Sequence, residues 1–382
     1  MSTPGERLPG RPGRALVVTV VHHPEDARIR HRQIAALLEN GWEVTYAAPF
    51  TGYGLDLPPA PAGLRQIDLP RALGRSRLTA QRAARKLVRS EAEQHHLVLL
   101  HDPELLLAVR GIDPRRVVWD VHEDTAAALA MKGWVPGPLR RPTRWAVRRV
   151  EAAAERRAHL LLAEDAYQQR FARPHPVVPN TTRVPASTAP PDQPRVVYVG
   201  HLTRARGAHE LVALGRLLHE HTGGRIRVEL VGHADAETTA LLSDSDAVTW
   251  HGFLPHDRAM ELVDGALAGL SLLHDQPNYR ISQPTKVVEY LAHGVPVITT
   301  PLPRAAELVT ATGAGVVVPF TPSGTAAPER VLQAILRLDV DVEGRRRMGA
   351  RGHAYAAARL DWSVRSGEFV SRLGSIAGAP RP

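Results

Sequence analysis

Residues 279–300 read YRISQPTKVVEYLAHGVPVITT. The stretch has the form of a short helix feeding a buried strand. Ser282 suits a helix N-cap, and Pro284 suits the first turn, where its missing N–H costs nothing. Val287, Val288 and Leu291 make an apolar stripe. Gly294 stops the helix and Pro296 follows it. VPVITT is β-branched and apolar, as a central strand should be. The other face is polar: Ser282, Lys286, Glu289 and His293 follow one another at spacings of four, three and four, so they line one side. A helix N-terminus offers partial positive charge and free N–H groups. With a cation and a carboxylate beside it, this face suits an anionic, hydroxyl-rich ligand such as a sugar nucleotide. It equally suits solvent, with Lys286 and Glu289 as a surface pair contributing only about 0.2–0.5 kcal/mol.

The same alternation of strand, polar tip and helix runs through the chain. ALVVTVV (15–21) is a strand, HHPEDARIRHR a polar loop, and RHRQIAALLENG a helix whose apolar face is Ile34, Leu37 and Leu38. LVLLHDPE and RRVVWDVHED are further strands ending in polar tips. After a Pro-rich, polar linker at 187–194, the pattern restarts with RVVYVG, IRVELVGHAD and AVTWHGFLP. This order predicts an α/β chain with two Rossmann-like, doubly wound domains facing a central cleft. The expected parts are a disordered tail (1–13), an N-terminal domain (14–186), a C-terminal domain (195–360) and a terminal helix at 361–382. That helix is expected to pack back toward the N-terminal domain, with a disordered end.

Composition narrows the function. The 382 residues are 43% hydrophobic and 23% charged, values of an ordinary folded chain. The formal charge is 48 − 39 = +9. The excess is arginine, since Lys86, Lys132 and Lys286 are the only lysines. With abundant Ala, Gly and Pro, this fits a GC-rich bacterial genome. The helices at 75–89 and 139–157 are strongly basic and could dock on anionic lipid, although an arginine-rich solvated surface explains them equally well. Cysteine is absent, which excludes disulfides, thiolate metal sites and a cysteine nucleophile. No apolar run approaches the roughly 18 residues of a membrane span, and a cytoplasmic protein is expected. Aromatics are only 5%, with no aromatic–basic interleaving, so no nucleic-acid partner is expected.

Ligands of open parallel sheets bind beyond the carboxyl ends of the strands. In the first half the polar tips there are His22, His23, Asp26, Arg28 and Arg30, then His101 and Asp102, then Asp120, His122, Glu123 and Asp124. In the second half they include Gly200 to Gly207, Gly232 to Asp235 and the segment from His274 to Asn278. In GHLTRARG (200–207), Gly200 lets the backbone turn close to a ligand. Arg204 and Arg206 can neutralise a diphosphate, and the amides of the helix after Gly207 can take a phosphate. The loop matches neither a P-loop nor the G-x-G-x-x-G fingerprint. The tips at 101–102 and 120–124 fit no zinc spacing, and no G-x-S-x-G elbow is present.

Taken in order, HHPEDARIRHRQIAALLENGWEV, HDPELLL, WDVHED, VVPN, RVVYVGHLTRARGAHEL, VTWHGFLP and SQPTKVVEYLAHGVPVITT resemble a GT-B glycosyltransferase of family 4, the retaining type. The resemblance implies a nucleotide-sugar donor, UDP- or GDP-linked, in the C-terminal domain and a hydroxyl acceptor mainly in the N-terminal one. No cofactor and no metal are implied. Glu289 matches the carboxylate that binds the nucleotide ribose. Arg206 stands where a lysine usually faces the diphosphate. His201 stands where many relatives carry an arginine, and Arg204 substitutes for it. His122 matches a histidine near the donor sugar and acceptor phosphate. The implied donor set is Gly200, Arg204, Arg206, Gly232, Ser282, Lys286 and Glu289, and the acceptor set is His23, Asp26, Arg28, His101, Asp102, His122 and Glu123. His122, Arg206 and Lys286 are the implied catalytic residues. Ile281 replaces the first glutamate of the family's Glu-x7-Glu pattern, so sugar recognition is expected to fall to backbone amides around Asn278 to Ser282. The competing functions are a nucleotide-sugar 2-epimerase of the same fold and a non-catalytic binding or scaffold protein.

Overall fold

The structure is a computed structural model that describes residues 13–122 and 140–378. The expected N-terminal tail, apart from its last residue, lies outside the described residues, as do the extreme C-terminal end, Glu123 and Asp124. The chain forms two units by its internal contacts, 1–179 with 364–382, and 180–363. The division falls ahead of the linker expected at 187–194. Thr182 belongs with the second unit because its N–H donates to the Leu360 carbonyl (3.1 Å) and its carbonyl accepts from Trp362 N–H (2.8 Å).

In the first unit, strands β1 (Arg14–Val18), β2 (Glu43–Ala48), β3 (Leu64–Asp68), β4 (Leu97–Leu100), β5 (Val117–Val121) and β6 (His159–Leu162) form one sheet in the order β3-β2-β1-β4-β5-β6. Every pair is parallel, with Val18 beside Ala47 on one side and Leu100 on the other. A strand covered on both faces needs an apolar run rather than alternation. ALVV and LVLL meet that need, and Ala15 to Val18 and Leu97 to Leu100 are fully buried. The order in which the strands are added reverses between β1 and β4, so the tips after those strands meet there.

The first helix begins earlier than its sequence suggests. Asp26 accepts the N–H groups of Arg28 (2.8 Å) and Ile29 (3.0 Å), and this cap starts a wide π-helical segment, Ala27–Ile34, that runs into α1 (Ala35–Glu39). Helix α2 (Arg77–Glu91) also turns differently. By apolarity alone its sequence predicts an inward face of Leu78, Ala84 and Leu87. The buried stripe is instead Ala80, Ala84 and Val88, and Leu78 is 63% exposed. The small alanines let the helix sit close to the sheet, which leaves the larger leucine outside. Helix α3 (Arg140–Glu155) carries a second exposed apolar group, Trp145. No helix among the described residues is long and apolar enough to cross a membrane.

The second unit repeats the design. Strands β7 (Gln193–Val199), β8 (Arg227–Val231), β9 (Thr249–Trp250), β10 (Ala266–Ser271), β11 (Val297–Thr299) and β12 (Gly315–Val317) form a parallel sheet in the order β12-β11-β10-β7-β8-β9, with its switch between β7 and β10. Read from β9, this is the same winding as the first sheet. Helix α4 (Ala208–Thr222) and a helix at Pro328–Val340 cover one face through Leu211, Leu214, Leu218, Leu332 and Ile335. The opening stretch covers the other.

Its helix, α5 (Thr285–Ala292), does not start at Ser282. The cap position is Pro284, with φ −66° and ψ 119°, and no side chain caps it. Pro284 therefore lies outside the first turn, and Ser282 sits in a bend before it. Val287, Val288, Tyr290, Leu291 and Ala292 are fully buried, each large apolar side chain contributing roughly 1.5–3 kcal/mol. The long helix Val342–Arg359 presses on α5 and its exit: a Cβ on Gly349 would meet the Gly294 carbonyl oxygen at 2.2 Å, so only glycine fits there.

Candidate functional site

The second unit's cluster starts from Lys286, at the beginning of α5. A solvated polar face is excluded by burial: Lys286 and Glu289 are each 6% exposed and His293 is 8%. His293 is accounted for structurally, its Nδ1 lying 2.7 Å from Asp264 Oδ1. Lys286 is not. Its Nζ stands 3.4 Å from the centroid of the Tyr198 ring and has no hydrogen-bond partner among the described residues. Burial pushes its pKa well below the usual lysine value, Arg206 pushes it further down, and only Glu289 opposes them. An ammonium kept in such surroundings pays a desolvation penalty that a bound anion would offset.

The groups around Lys286 come from the strand tips. Gly200, after β7, has φ +132°, and a Cβ there would meet Lys286 Cε and Nζ at 3.4 Å. Gly232, after β8, has φ +135°, and its Cβ would fall 2.0 Å from the Gly200 carbonyl oxygen. The two glycines thus let adjacent loops touch beside the lysine, where a side chain would not fit. Arg206 lies in a single helical turn before α4, with its guanidinium 5.9 Å from the Tyr279 ring centroid. Burial pushes the Tyr198 hydroxyl up to about 12, so it stays protonated and donates to the His201 carbonyl oxygen at 2.9 Å. Tyr290 locks α5 to the sheet: its hydroxyl oxygen accepts the Val199 N–H at 3.0 Å. Glu289 has His256 Nδ1 at 3.9 Å.

Of the donor set, Gly200, Gly232, Arg206, Lys286 and Glu289 converge on this end of the sheet. Ser282 stands in the bend just before α5. Arg204 is directed elsewhere, with its guanidinium exposed and 3.5 Å from Glu237. Sequence reasoning missed Tyr198 and Tyr279, which flank the two cations, and His256. Tyr198 sits inside an apolar strand, where an aromatic residue signals only packing.

In the first unit, the tips of β1, β4 and β5 build a polar core around Asp120. Arg28 donates through Nε to Asp120 Oδ2 (2.7 Å) and through a terminal nitrogen to Oδ1 (2.6 Å), and Gln33 adds a bond to Oδ2 (3.0 Å). Burial opposes the carboxylate, but the charge and fork of Arg28 outweigh it and hold Asp120 well below the usual range. His101 Nδ1 and His122 Nδ1 each lie 3.3 Å from the same Oδ2. His122 Nε2 is 2.9 Å from His22 Nε2, and His22 Nε2 is 3.3 Å from Asp102 Oδ1. Asp102 is pinned in turn, its Oδ2 accepting from Thr19 Oγ1 (3.0 Å) and Val20 N–H (2.5 Å). Of the acceptor set, Arg28, His101 and His122 are joined through Asp120, and Asp102 is joined to them through His22. Asp26 caps the helix beside them, and His23 packs edge-on to Tyr53. His101, Asp120 and His122 have metal-ligating side chains close together, but both Asp120 oxygens are already committed to Arg28 and Gln33. A groove of about 730 Å³, lined by Arg115, Glu155, Arg156, Arg173, His175 and Arg372, lies at the opposite ends of β5 and β6 and contains none of these groups.

The buried lysine generates a prediction in the ligand-free protein. Its folded pKa is below its unfolded value of about 10.4, so between the two values the unfolded chain binds more protons and stability rises with pH. Below the folded pKa the full penalty applies. Lys286→Met removes the penalty, so it raises the thermal midpoint near neutral pH by an amount equivalent to about 1 kcal/mol and flattens that alkaline rise. Thermal unfolding from neutral to alkaline pH checks both; a lower midpoint in the variant contradicts the assignment.

Comparison with known proteins agrees with this architecture. Residues 193–339 match the family model described as "Glycosyl transferases group 1". No curated protein sequence matches the chain. Among solved structures, sucrose-phosphate synthase from Thermosynechococcus elongatus superposes with a TM-score of 0.73 at 19% identity, over 97% of this chain and 100% of that one. WaaG, a glycosyltransferase involved in lipopolysaccharide biosynthesis, gives 0.66 at 13% identity over 96% and 100%. Anabaena Alr3699/HepE, solved with UDP and glucose, gives 0.64 at 16% identity over 95% and 100%. The chain therefore has the GT-B fold, two Rossmann-like α/β units, and its second unit carries a segment matching the group 1 glycosyl transferases.

Proposed function

We propose that the protein is a retaining glycosyltransferase that moves a sugar from a nucleoside-diphosphate donor to a hydroxyl acceptor. The observation that carries this is the buried Lys286 ammonium without a hydrogen-bond partner among the described residues, set beside Gly200 and Arg206. Lys286 and Arg206 supply positive charge where the leaving diphosphate gains negative charge, which is electrostatic catalysis by fixed groups. Glu289 takes the ribose hydroxyls. Transfer needs no metal, because these cations stand in its place. A β-phosphate oxygen assists removal of the acceptor proton, and His122 lies on the acceptor side. The match at 193–339 and the UDP-bound neighbour support the donor class and make UDP the first nucleotide to try.

Adding UDP or GDP raises the thermal midpoint if either binds the folded state. Arg206→Ala and Glu289→Ala each weaken that nucleotide's binding by roughly 10- to 100-fold, the loss of one charged contact of about 1.4–3 kcal/mol. Wild-type affinity in both variants contradicts the site. Incubating UDP-glucose without acceptor separates the classes: a transferase gives at most slow hydrolysis, whereas an isomerised donor identifies an epimerase.

We further propose that the first unit docks on an anionic membrane surface, at the cytoplasmic face. Leu73 and Leu78 are exposed at 62% and 63% beside Arg75 and Arg77, and Trp145 is exposed at 61% beneath Arg149, whose guanidinium lies 4.5 Å from its ring centroid. Exposed apolar groups among arginines suit the interface of acidic lipid better than water. At low salt the protein floats with phosphatidylglycerol-rich vesicles and not with phosphatidylcholine ones. Leu78→Ser with Trp145→Ser abolishes flotation while leaving the thermal midpoint unchanged; no flotation of the wild type contradicts the proposal.

A further inference from the structure

We infer that Asp120 is a positioning residue that sets the proton on His122, so that His122 presents its Nε2 lone pair, with His22 holding that lone pair until substrate arrives. The inference rests on the transferase reading for its function but not for its geometry.

Two independent contacts fix the same polarity. On one side, His122 Nδ1 is 3.3 Å from Asp120 Oδ2. The contact is longer than a short, aligned hydrogen bond, yet a ring lone pair facing a carboxylate oxygen at that distance is repelled, and an N–H is attracted. Asp120 itself stays ionised, because the Arg28 fork grips both oxygens. His122 therefore carries its proton on Nδ1 and leaves Nε2 bare. On the other side, His22 Nε2 lies 3.3 Å from Asp102 Oδ1, an acceptor oxygen that favours an N–H on that nitrogen, and this single hydrogen is shared between Asp102 and the His122 ring. These rings meet through those two atoms, Nε2 to Nε2 at 2.9 Å. A donor assigned from Asp102 thus faces an acceptor assigned from Asp120, and the bond between the rings has consistent polarity. Had either carboxylate chosen the other tautomer, two lone pairs or two protons would collide at 2.9 Å.

His101 follows the same rule, with Nδ1 3.3 Å from Asp120 Oδ2. Burial keeps its ring neutral, pushing its pKa down against the pull of Asp120. One carboxylate therefore orients two rings, and Arg28, reaching over from the segment after β1, keeps that carboxylate charged. The two carboxylates sit on different strand tips, β4 and β5, and the histidine pair spans the switch point of the sheet. When an acceptor hydroxyl displaces His22, His122 Nε2 accepts its hydrogen bond without a change of tautomer, and Asp120 stabilises any positive charge that develops on the ring.

Histidine nitrogen NMR on the intact, ligand-free protein tests the assignment directly, with the His122 signals identified by their loss in His122→Gln. The inference expects the Nδ1–H tautomer at His122 and Nε2–H at His22. A His122 ring protonated on Nε2 alone overturns it. As a second arm, Asp120→Asn lowers kcat for UDP-glucose turnover roughly 10- to 100-fold while UDP affinity, read in the other unit, stays at the wild-type value; an unchanged kcat also overturns it. If Asp120→Asn does not fold, or if UDP-glucose is not turned over, the wild-type spectrum decides. Absence of nucleotide binding with the expected tautomers sinks the transferase reading alone.

Discussion

An ammonium group buried against an aromatic ring, with no hydrogen bond to satisfy it among the described residues, is the feature on which the second unit's site depends. Lys286 is held over Tyr198 because α5 cannot move: Tyr290 fastens it to β7, and Gly349 lets the long C-terminal helix close over its exit. The apolar residues of α5 supply the burial, and the same burial denies the lysine water. Stability is lost at that one position. On the proposed reading a bound anion restores it, beside the glycine at 200 that lets the loop run close to the lysine. This links packing to function: the tighter α5 is held, the stronger the preference for a bound negative charge.

The first unit solves the opposite electrostatic problem. There a carboxylate is buried, and Arg28 meets it with a two-point fork, while His101 and His122 stand against one of its oxygens. Both clusters stand at the point where their sheet reverses winding. Parallel strands bring polar tips to one edge, and the reversal separates the covering helices there. The two sheets share that winding order, so the position of each cluster follows from topology, while the chemistry of each follows from the side chains placed there.

Much of this was legible in the sequence. The apolar runs at 15–21 and 97–100 and the strand-tip residues His101, Asp102 and His122 follow from period and position alone. The spacing of Lys286, Glu289 and His293 identified a shared face but could not say whether water reached it, because the groups packed against Lys286, Gly200 and Tyr198, come from a strand and its tip far away in sequence. Ser282 looked like a cap from its residue type; the backbone at Pro284 was extended enough to take that position instead. Leu78 was placed inward by apolarity, whereas close packing of Ala80 and Ala84 set the helix face. Arg204 and Arg206 are indistinguishable as sequence, and only the fold shows Arg204 paired with Glu237.

The central claim is that Lys286 is a phosphate-side cation whose proton affinity is suppressed until a diphosphate binds. Calorimetric titration of UDP from neutral pH up to the ordinary lysine value of about 10.4, in buffers of different ionisation heat, measures the protons taken up on binding. The account predicts net uptake in the wild type that disappears in Lys286→Met. Binding with no proton uptake, or the same uptake in the variant, would contradict it.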